Sequence, residues 1–179
     1  MQAVLEPAKD YVHLRLNDSR YVTIRPALPS DLDALRTFFA ALSRSTLRFR
    51  FHTSISELPE HILRDFTTVN HRAQVAFVAE NHDGAADPRK MLVAEARYVR
   101  SGSSESADFA LVVADGWRRI GLGSMLTRIL AQRARFTGLR RLCGDVLEDN
   151  MAMRGFAQSL GARLSQVMTH GLVRLSLDV

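Results

Sequence analysis

The chain has 179 residues, of which 46% are hydrophobic and 24% are charged, a balance typical of a single globular domain. These proportions exclude a disordered tail and a collagen, and no apolar stretch approaches the ~20 residues of a membrane-spanning helix. The single cysteine, Cys143, excludes an internal disulfide and a cysteine-based zinc site, and it fits a reducing cytoplasm. Glu6, Lys9 and Asp10 stand where a secretory signal would be apolar, so we expect no export.

The positive charge is concentrated in one part of the chain. The formal net charge is +5, and all but two of the 24 basic residues are arginines. No acidic residue occurs between Asp115 and Asp145, whereas the arginines there are Arg118, Arg119, Arg128, Arg133, Arg135, Arg140 and Arg141. Because the guanidinium fork suits phosphate oxygens, this block is compatible with a solvated helix face, a nucleic acid or a phosphate-bearing cofactor.

The first part of the chain predicts a hairpin followed by helices. Apolar and polar residues alternate over residues 11–27 on both sides of the turn at residues 17–19. Ser30 is the expected cap of a first helix, a second covers residues 45–51, and Ser56 starts a third. The residues expected to face inward from the first and third helices are Leu32, Leu35, Phe38, Phe39, Leu42, Leu58, Ile62, Leu63 and Phe66.

The rest of the chain predicts strands interleaved with two helices. The helices are expected over residues 121–137 and 150–160, the second ending at Gly161, and residues 81–90 are expected to form a polar loop. The pattern therefore predicts one mixed α/β domain. The expected strands cover residues 74–80, 91–99, 107–114, 140–147, 162–166 and 172–179.

The motif that carries chemistry is a glycine-containing turn between a buried strand and a helix, at residues 118–124. The N–H groups that open a helix have no internal partner and lie at the positive end of its dipole, so they attract phosphates. A P-loop needs Lys after its second glycine, where this chain has Ser124. A dinucleotide fingerprint needs a third glycine at Leu126, although Asp145 lies about where its ribose-binding acid would fall.

The spacing of Arg118, Gly121 and Gly123 resembles the Arg-x-x-Gly-x-Gly acyl-CoA loop of the GNAT superfamily of N-acyltransferases. The strand at residues 111–113 resembles the strand whose backbone binds the pantetheine arm, and residues 148–153 resemble the second cofactor segment of that family. The resemblance runs from about Val22 to the C-terminus. Shorter stretches also resemble the GNAT domain of bacterial protein-lysine acetyltransferases, at residues 22–26, 42–51, 96–98, 108–113 and 146–150.

The resemblance implies a GNAT fold, with a mixed, mostly antiparallel central sheet that has helices on both faces and is splayed where acyl-CoA enters. Residues 1–19 are then an N-terminal extension that adds a hairpin strand, and residues 20–179 are the single GNAT domain. The residues implied to bind acetyl-CoA are Leu111, Val112, Val113, Arg118, Arg119, Ile120, Gly121, Leu122, Gly123, Ser124, Asn150 and Met153.

The implied activity is direct transfer of an acetyl group from acetyl-CoA to a primary amine, on a protein lysine or a small molecule. No metal, membrane or nucleic-acid partner is implied, and a homodimer stays open. Two alternatives remain: a non-catalytic acyl-CoA-binding module and a basic nucleic-acid-binding protein.

Transfer to an amine calls for a general base, because an amine with a pKa of about 10.4 is neutral in roughly one molecule in two thousand at pH 7. Asp108 matches the position of the base in the family, where the protein-acetylating subgroup tends to carry Glu. Glu105, Glu95 and one of the histidines are alternatives, with Glu95 expected on an edge strand. His52 is either a residue that faces the acceptor or, as we expect, a partly buried structural histidine. Many family members have a Tyr as general acid where this chain has Ala157.

Overall fold

The computed structural model describes residues 11–70, 72–81, 91–166 and 171–179. Most of the predicted polar loop, residues 82–90, and the first ten residues of the predicted extension lie outside these ranges. Among the helices of the described ranges, none has the length and apolar composition needed to cross a membrane.

The strands of the described chain form one eight-stranded sheet in the order β1-β2-β3-β4-β5-β6-β8-β7. Every neighbouring pair is antiparallel except β5 and β6, which run parallel. The expectation of a mixed, mostly antiparallel sheet is therefore confirmed. The strands are β1 (Val12–Arg15), β2 (Tyr21–Pro26), β3 (Gln74–Asn81), β4 (Leu92–Arg100), β5 (Ser106–Val113), β6 (Arg141–Leu147), β7 (Arg163–Gln166) and β8 (Leu172–Asp178).

Helices cover both faces of the sheet and bury two hydrophobic clusters. One cluster joins the first three helices to one face of β3–β5 through residues such as Phe39, Phe66 and Val112. The other joins the remaining helices to the opposite face through residues such as Leu126 and Ala157. The helices are α1 (Leu32–Ala40), α2 (Arg44–Phe51), α3 (Glu60–Thr67), α4 (Leu122–Phe136) and α5 (Met151–Ser159).

Two predicted helix starts were wrong. Ser30 lies in a 3-10 turn, and α1 begins at Leu32 with Asp31 at its cap position. The Asp31 carboxylate does not cap α1; it accepts from the N–H of Leu28 at 2.7 Å and is buried in an ion pair with Arg25 at 2.7 Å. The third helix begins at Glu60 rather than Ser56, since Pro59 disfavours helical dihedrals in the residue before it.

The sheet opens where β5 and β6 separate. The two strands pair only from Ser106 opposite Arg141 to Asp108 opposite Cys143. Just beyond, a Cβ on Gly144 would lie 3.0 Å from the carbonyl oxygen of Phe109, so only glycine fits this closest approach without displacing backbone. The expected splay of the sheet is thus present, and its vertex lies at Asp108.

The N-terminal hairpin joins this same sheet. Val12–Arg15 pair antiparallel with β2, as the alternation predicted, and the tight turn is closed by the bond from the Leu16 N–H to the Arg20 carbonyl at 2.8 Å. The boundary between an extension and a domain at residues 19 and 20 stays a prediction.

Candidate active site

A cavity of about 450 Å³ fills the gap between the diverging strands. Its walls come from β5, β6, β8, α2, the start of α4 and the start of α5. The site is therefore assembled from segments that are distant in sequence and meet only because of the sheet order.

The backbone of β5 presents polar groups to this cavity. The N–H of Ala114 bonds to Val93 on the β4 side at 2.9 Å, and backbone groups alternate in direction along a strand. Phe109, Leu111 and Val113 therefore direct their N–H and carbonyl groups towards the gap. An extended chain with amide groups, such as a pantetheine arm, has suitable partners there.

The glycine-containing turn opens α4 at the end of the same cavity. Gly121 has φ +93° and Arg119 has φ +62°, so the chain turns sharply before the helix begins at Leu122. A Cβ on Gly123 would lie 3.6 Å from the side chains of both Leu111 and Phe156, which is ordinary contact. The free N–H groups of this helix start and the Ser124 side chain fit the phosphates of a CoA-type molecule.

Most of the predicted acyl-CoA residues line this cavity, but two do not. Leu122 is completely buried in the core beneath the turn, and Ile120 packs partly buried against the same core. Asn150 caps α5, its side-chain oxygen accepting from the N–H of Met153 at 3.1 Å, and both residues line the cavity. The predicted second cofactor segment thus lies on the wall opposite β5.

Asp108 lies at the vertex of the cavity in an ion-pair network that the sequence did not reveal. Arg174 on β8 donates to Asp108 at 2.6 Å and to Asp145 on β6 at 3.0 Å. Burial alone would lower the pKa of Arg174, but its bonds to Asp145 and Asp108 raise it. The network orients the Asp108 carboxylate and keeps Arg174 charged.

The two alternative carboxylates lie outside the cavity, whereas His52 lines it. Glu105 is exposed beside Arg140, at 3.3 Å, and does not line the cavity. The prediction that Glu95 lies on an edge strand was wrong, because β4 pairs on both sides and the Glu95 side chain is completely buried. His52 is exposed rather than partly buried; it ends α2 at φ 59° and lines the cavity.

Cys143 and Trp117 have no role in this cavity. The apolar strand around Cys143 predicts a core position, but Cys143 is partly exposed, 4.0 Å from the hydroxyl of Ser176. As a lone aromatic residue beside a loop, Trp117 is expected to be a packing residue, and it packs against the guanidinium of Arg20, which lies 3.8 Å from the ring centroid. No group of three metal-ligating side chains occurs among the described residues.

Helix α2 is fastened to the segment between β5 and α4 that ends in the glycine-containing turn. The hydroxyl of Thr46 donates to Asp115 at 2.7 Å and accepts from Arg118 at 2.6 Å, and Arg118 also bonds to the carbonyl of Val113 at 3.2 Å. Burial would raise the pKa of Asp115, but bonds from Ser43 and Thr46 and the charge of Arg118 hold it below its usual range. No local sequence pattern indicated these partners.

A second contact fastens α2 to the other wall of the cavity. Arg48 forms an ion pair at 2.8 Å with Asp149, in the loop that precedes α5. Since Thr46 is tied to the β5 side and Arg48 to the β6 side, α2 crosses the mouth of the gap. The cavity is lined from the α2 side by Phe49, Arg50 and His52.

The position of the family's general acid holds no hydroxyl. Ala157 is almost completely buried, and the neighbouring Phe156 reaches the cavity instead. Among the described residues that line the cavity there is no tyrosine and no cysteine. A leaving group in this cavity would take its proton from solvent or from another donor.

Comparisons with known sequences agree with this arrangement. The profile of the acetyltransferase (GNAT) family matches residues 41–162. A Pseudomonas aeruginosa acetyltransferase is 32% identical over 146 residues, which is 82% of this chain and 77% of that protein. Acetyltransferase Pat of Mycolicibacterium smegmatis is 30% identical over 152 residues, 84% of this chain but 44% of that protein.

Solved structures share the fold. The GNAT domain of S. lividans PAT superposes with a TM-score of 0.87 over 98% of this chain and all of that one, at 24% identity. A cAMP-binding acyltransferase from Mycobacterium smegmatis gives a TM-score of 0.63 at 26% identity, over 94% of this chain and 47% of that one. A Salmonella typhimurium protein solved with its cofactor acetyl-CoA gives 0.66 at 16% identity, over 88% and 92% of the two chains.

Proposed function

The chain belongs to the acetyltransferase (GNAT) family and is an acyltransferase that uses acetyl-CoA, and we propose that it acetylates a primary amine with Asp108 as the general base. One observation carries the proposal. Asp108 lies at the vertex of the gap between β5 and β6, in the same cavity as the turn at residues 118–124.

The chain's own groups divide the binding of acetyl-CoA between two ends of the cavity. The start of α4, with Arg118, Arg119 and Ser124, would hold the phosphates, and the backbone of Leu111 and Val113 would hold the pantetheine amides. When bound, acetyl-CoA supplies the acetyl group as a thioester.

Asp108 would take a proton from the amine as the new bond forms. In the transfer, the amine nitrogen bonds to the acetyl carbon, the carbon–sulfur bond breaks, and the sulfur takes up a proton to become the CoA thiol. Arg174 donates to one oxygen of Asp108 and so fixes the direction of the carboxylate. Because Ala157 has no hydroxyl, we propose that water supplies the proton to sulfur.

A second function has one observation in its favour. The absence of a hydroxyl at Ala157 also suits an acyl-CoA-binding module that transfers nothing. Such a module would bind acetyl-CoA and release no thiol in the presence of any amine, and a screen of amine acceptors read as thiol release separates the two functions.

The test of the base is Asp108→Asn, which keeps the shape and can still accept from Arg174. We expect kcat to fall by about 10²-fold or more, the range that a positioned base supplies, with little change in acetyl-CoA affinity. The matched control is Glu105→Gln, which alters an exposed carboxylate outside the cavity and should keep its kcat. A kcat close to wild type for Asp108→Asn would assign the base elsewhere.

A further inference from the structure

Two groups of three ionisable side chains, opposite in net charge, meet the cavity: one lines it with all three members, and the other reaches it through Arg50 alone. The acidic triad is Asp108, Asp145 and Arg174, two carboxylates joined by one guanidinium. The basic triad is Arg50, Arg97 and Glu95, two guanidinium groups joined by one carboxylate. The first therefore carries one excess negative charge and the second one excess positive charge.

Both triads belong to the same face of the sheet. Arg97 on β4 lies opposite Ala110 on β5, and Asp108 lies two residues before Ala110. Since side chains alternate along a strand, Ala110 and Asp108 share a face with Arg97. This is the face that α2 covers, and Arg50 reaches the cavity from that helix.

The carboxylate of the basic triad is engaged mainly by Arg97. Arg97 donates to Glu95 at 2.5 Å and to the carbonyl of Phe66 at 2.9 Å. Arg50 lies farther from the other oxygen of Glu95, at 3.6 Å. The Nε of Arg50 and that second oxygen of Glu95 are both buried without a hydrogen-bond partner.

Arg50 is thus a cation that the protein holds in place but neutralises incompletely. Its side chain is 12% exposed, and its guanidinium lies near the rings of Phe51 and Phe66 at 5.1 and 5.4 Å. Burial lowers the pKa of Arg50, with the charge of Glu95 opposing and that of Arg97 adding to the effect. A buried charge without a full partner is costly, so an anion that reached Arg50 from the cavity would be stabilised.

We propose that the acceptor is a small amino acid-type molecule whose carboxylate binds Arg50 while its amine reacts beside Asp108. The inference deepens the proposed function and rests on it. A molecule with an ammonium and a carboxylate matches both triads at once, with the ammonium attracted by the acidic triad and the carboxylate by the basic one. A lysine inside a peptide brings only the ammonium, so Arg50 determines specificity between the two kinds of acceptor.

The experiment compares amines in matched pairs, with acetyl-CoA as donor and thiol release as the readout. Glycine, β-alanine, γ-aminobutyrate and L-lysine are each assayed beside the amine that lacks the carboxylate: methylamine, ethylamine, propylamine and cadaverine. A lysine peptide with blocked termini is included. We expect kcat/KM to favour the carboxylate member of at least one pair by roughly tenfold or more, the scale of a charge-assisted hydrogen bond.

The decisive measurement is the change of that ratio in Arg50→Met. The ratio should fall close to one, because the variant removes the charge and keeps the length, while Arg50→Lys should restore part of it. Differences in basicity between the two amines cancel, since each amine is compared with itself across variants. Arg44→Met is the control, an exposed residue of the same helix that does not line the cavity, and it should keep the wild-type ratio.

Several outcomes would overturn the inference. They are an unchanged ratio in Arg50→Met, equal use of both members of every pair, and acetylation of the blocked peptide alone. If Arg50→Met does not fold, Glu95→Gln serves instead. It raises the positive charge of the basic triad and should increase the preference for the carboxylate member, and no increase would count against the inference.

Failure of the proposed function gives a different result, namely no thiol release with any of the amines. The inference is then read from binding, by titrating N-acetyl-β-alanine and N-ethylacetamide into the CoA-saturated protein. Tighter binding of the carboxylate compound, lost in Arg50→Met, supports the anion site. Equal affinities overturn it.

Discussion

Substitutions at Gly123 can distinguish two reasons for a glycine at the start of α4, namely lack of space for a side chain and the need to avoid a negative charge. A Cβ at this position would meet Leu111 and Phe156 only at ordinary contact distance. A small side chain therefore fits here, and the electrostatics of the proposed phosphate site can be tested at this residue with little steric disturbance.

We expect Gly123→Ala to bind CoA nearly as well as wild type and Gly123→Asp to bind it much more weakly. The aspartate places a negative charge against the phosphates, whereas the fold should hold because an acidic residue in the first turn of a helix suits the dipole. Calorimetric titration with CoA measures both variants, and circular dichroism checks the fold. Equal affinities of the two variants for CoA would show that its phosphates do not bind at this turn.

Arg118 and the arginines further along α4 differ in what they contact. Arg118 lines the cavity, whereas Arg133 and Arg135 lie near the other end of the helix. We expect Arg118→Ala to weaken CoA binding roughly tenfold, the scale of a lost charge-assisted bond, and Arg133→Ala and Arg135→Ala to leave it unchanged. Tight binding of duplex DNA with a steep salt dependence would show instead that the arginine block neutralises nucleic-acid phosphates.

Local sequence was enough to single out Asp108 and the glycine-containing turn, which line the same cavity, because each belongs to a short pattern of adjacent residues. It was not enough to find Arg174, which contacts Asp108 across 66 positions of sequence. The same holds for Arg50, whose partner Glu95 lies on a strand that the sequence could not order within the sheet. Long-range pairing decides these contacts, and no local pattern encodes it.

Helix α2 holds its position through polar contacts with the segment between β5 and α4, and Asp115 is at the centre of them. Its carboxylate accepts from the backbone and hydroxyl of Ser43 and from the hydroxyl of Thr46. The folded protein holds the pKa of Asp115 below the ordinary value of 3.8. The charged carboxylate therefore stabilises the fold above that ordinary value and loses this effect as the pH falls through the lowered pKa.

We expect Asp115→Asn to reduce the free energy of unfolding at pH 7 and to match wild type more closely as the pH falls below about 4. Urea denaturation over a series of pH values measures the difference. Glu57→Gln, at an exposed carboxylate, is the control and should show no such convergence. A constant gap between Asp115→Asn and wild type across the pH series would mean that the charge of Asp115 does not hold α2.

Helices and strands were predicted with different success at their ends and in their middles. The sequence located the five helices of the described ranges, yet Ser30 and Ser56 were mistaken for helix starts. In the first case a 3-10 turn over Pro29–Asp31 precedes α1, and in the second Pro59 constrained the residue before it. A capping residue competes with tertiary contacts that sequence does not display.

At the scale of the whole molecule, the fold was predictable because its diagnostic feature is local. The strand, turn and helix from Ser106 to Phe136 identify the family, and the family fixes the sheet order. Residue patterns alone did not place β8 between β6 and β7, the position that brings Arg174 to the cavity. The contribution of α2 to the cavity was equally unpredictable, since α2 reaches the cavity only through tertiary packing.

The sheet has a seam. Seven register pairs join β4 to β5, but only three join β5 to β6. Among the described strands, backbone bonding is therefore weakest at the line where the cavity begins, and we expect the portions of the sheet on either side of it to open as separate cooperative units. A molecule that binds both the β5 backbone and the start of α5 would link the two portions of the sheet and oppose their separation.

Hydrogen exchange tests whether a bound molecule links the two portions of the sheet. Without ligand, we expect amides of β6 and β8 to exchange faster than those of β3 and β4; with CoA, the two sets should slow together, including residues far from the phosphates. Protection confined to the residues that line the cavity would show that the seam does not open. If it does open, a bound donor makes the wall on which the acceptor must be positioned more rigid. The order in which the two substrates bind would then depend on the opening of the sheet.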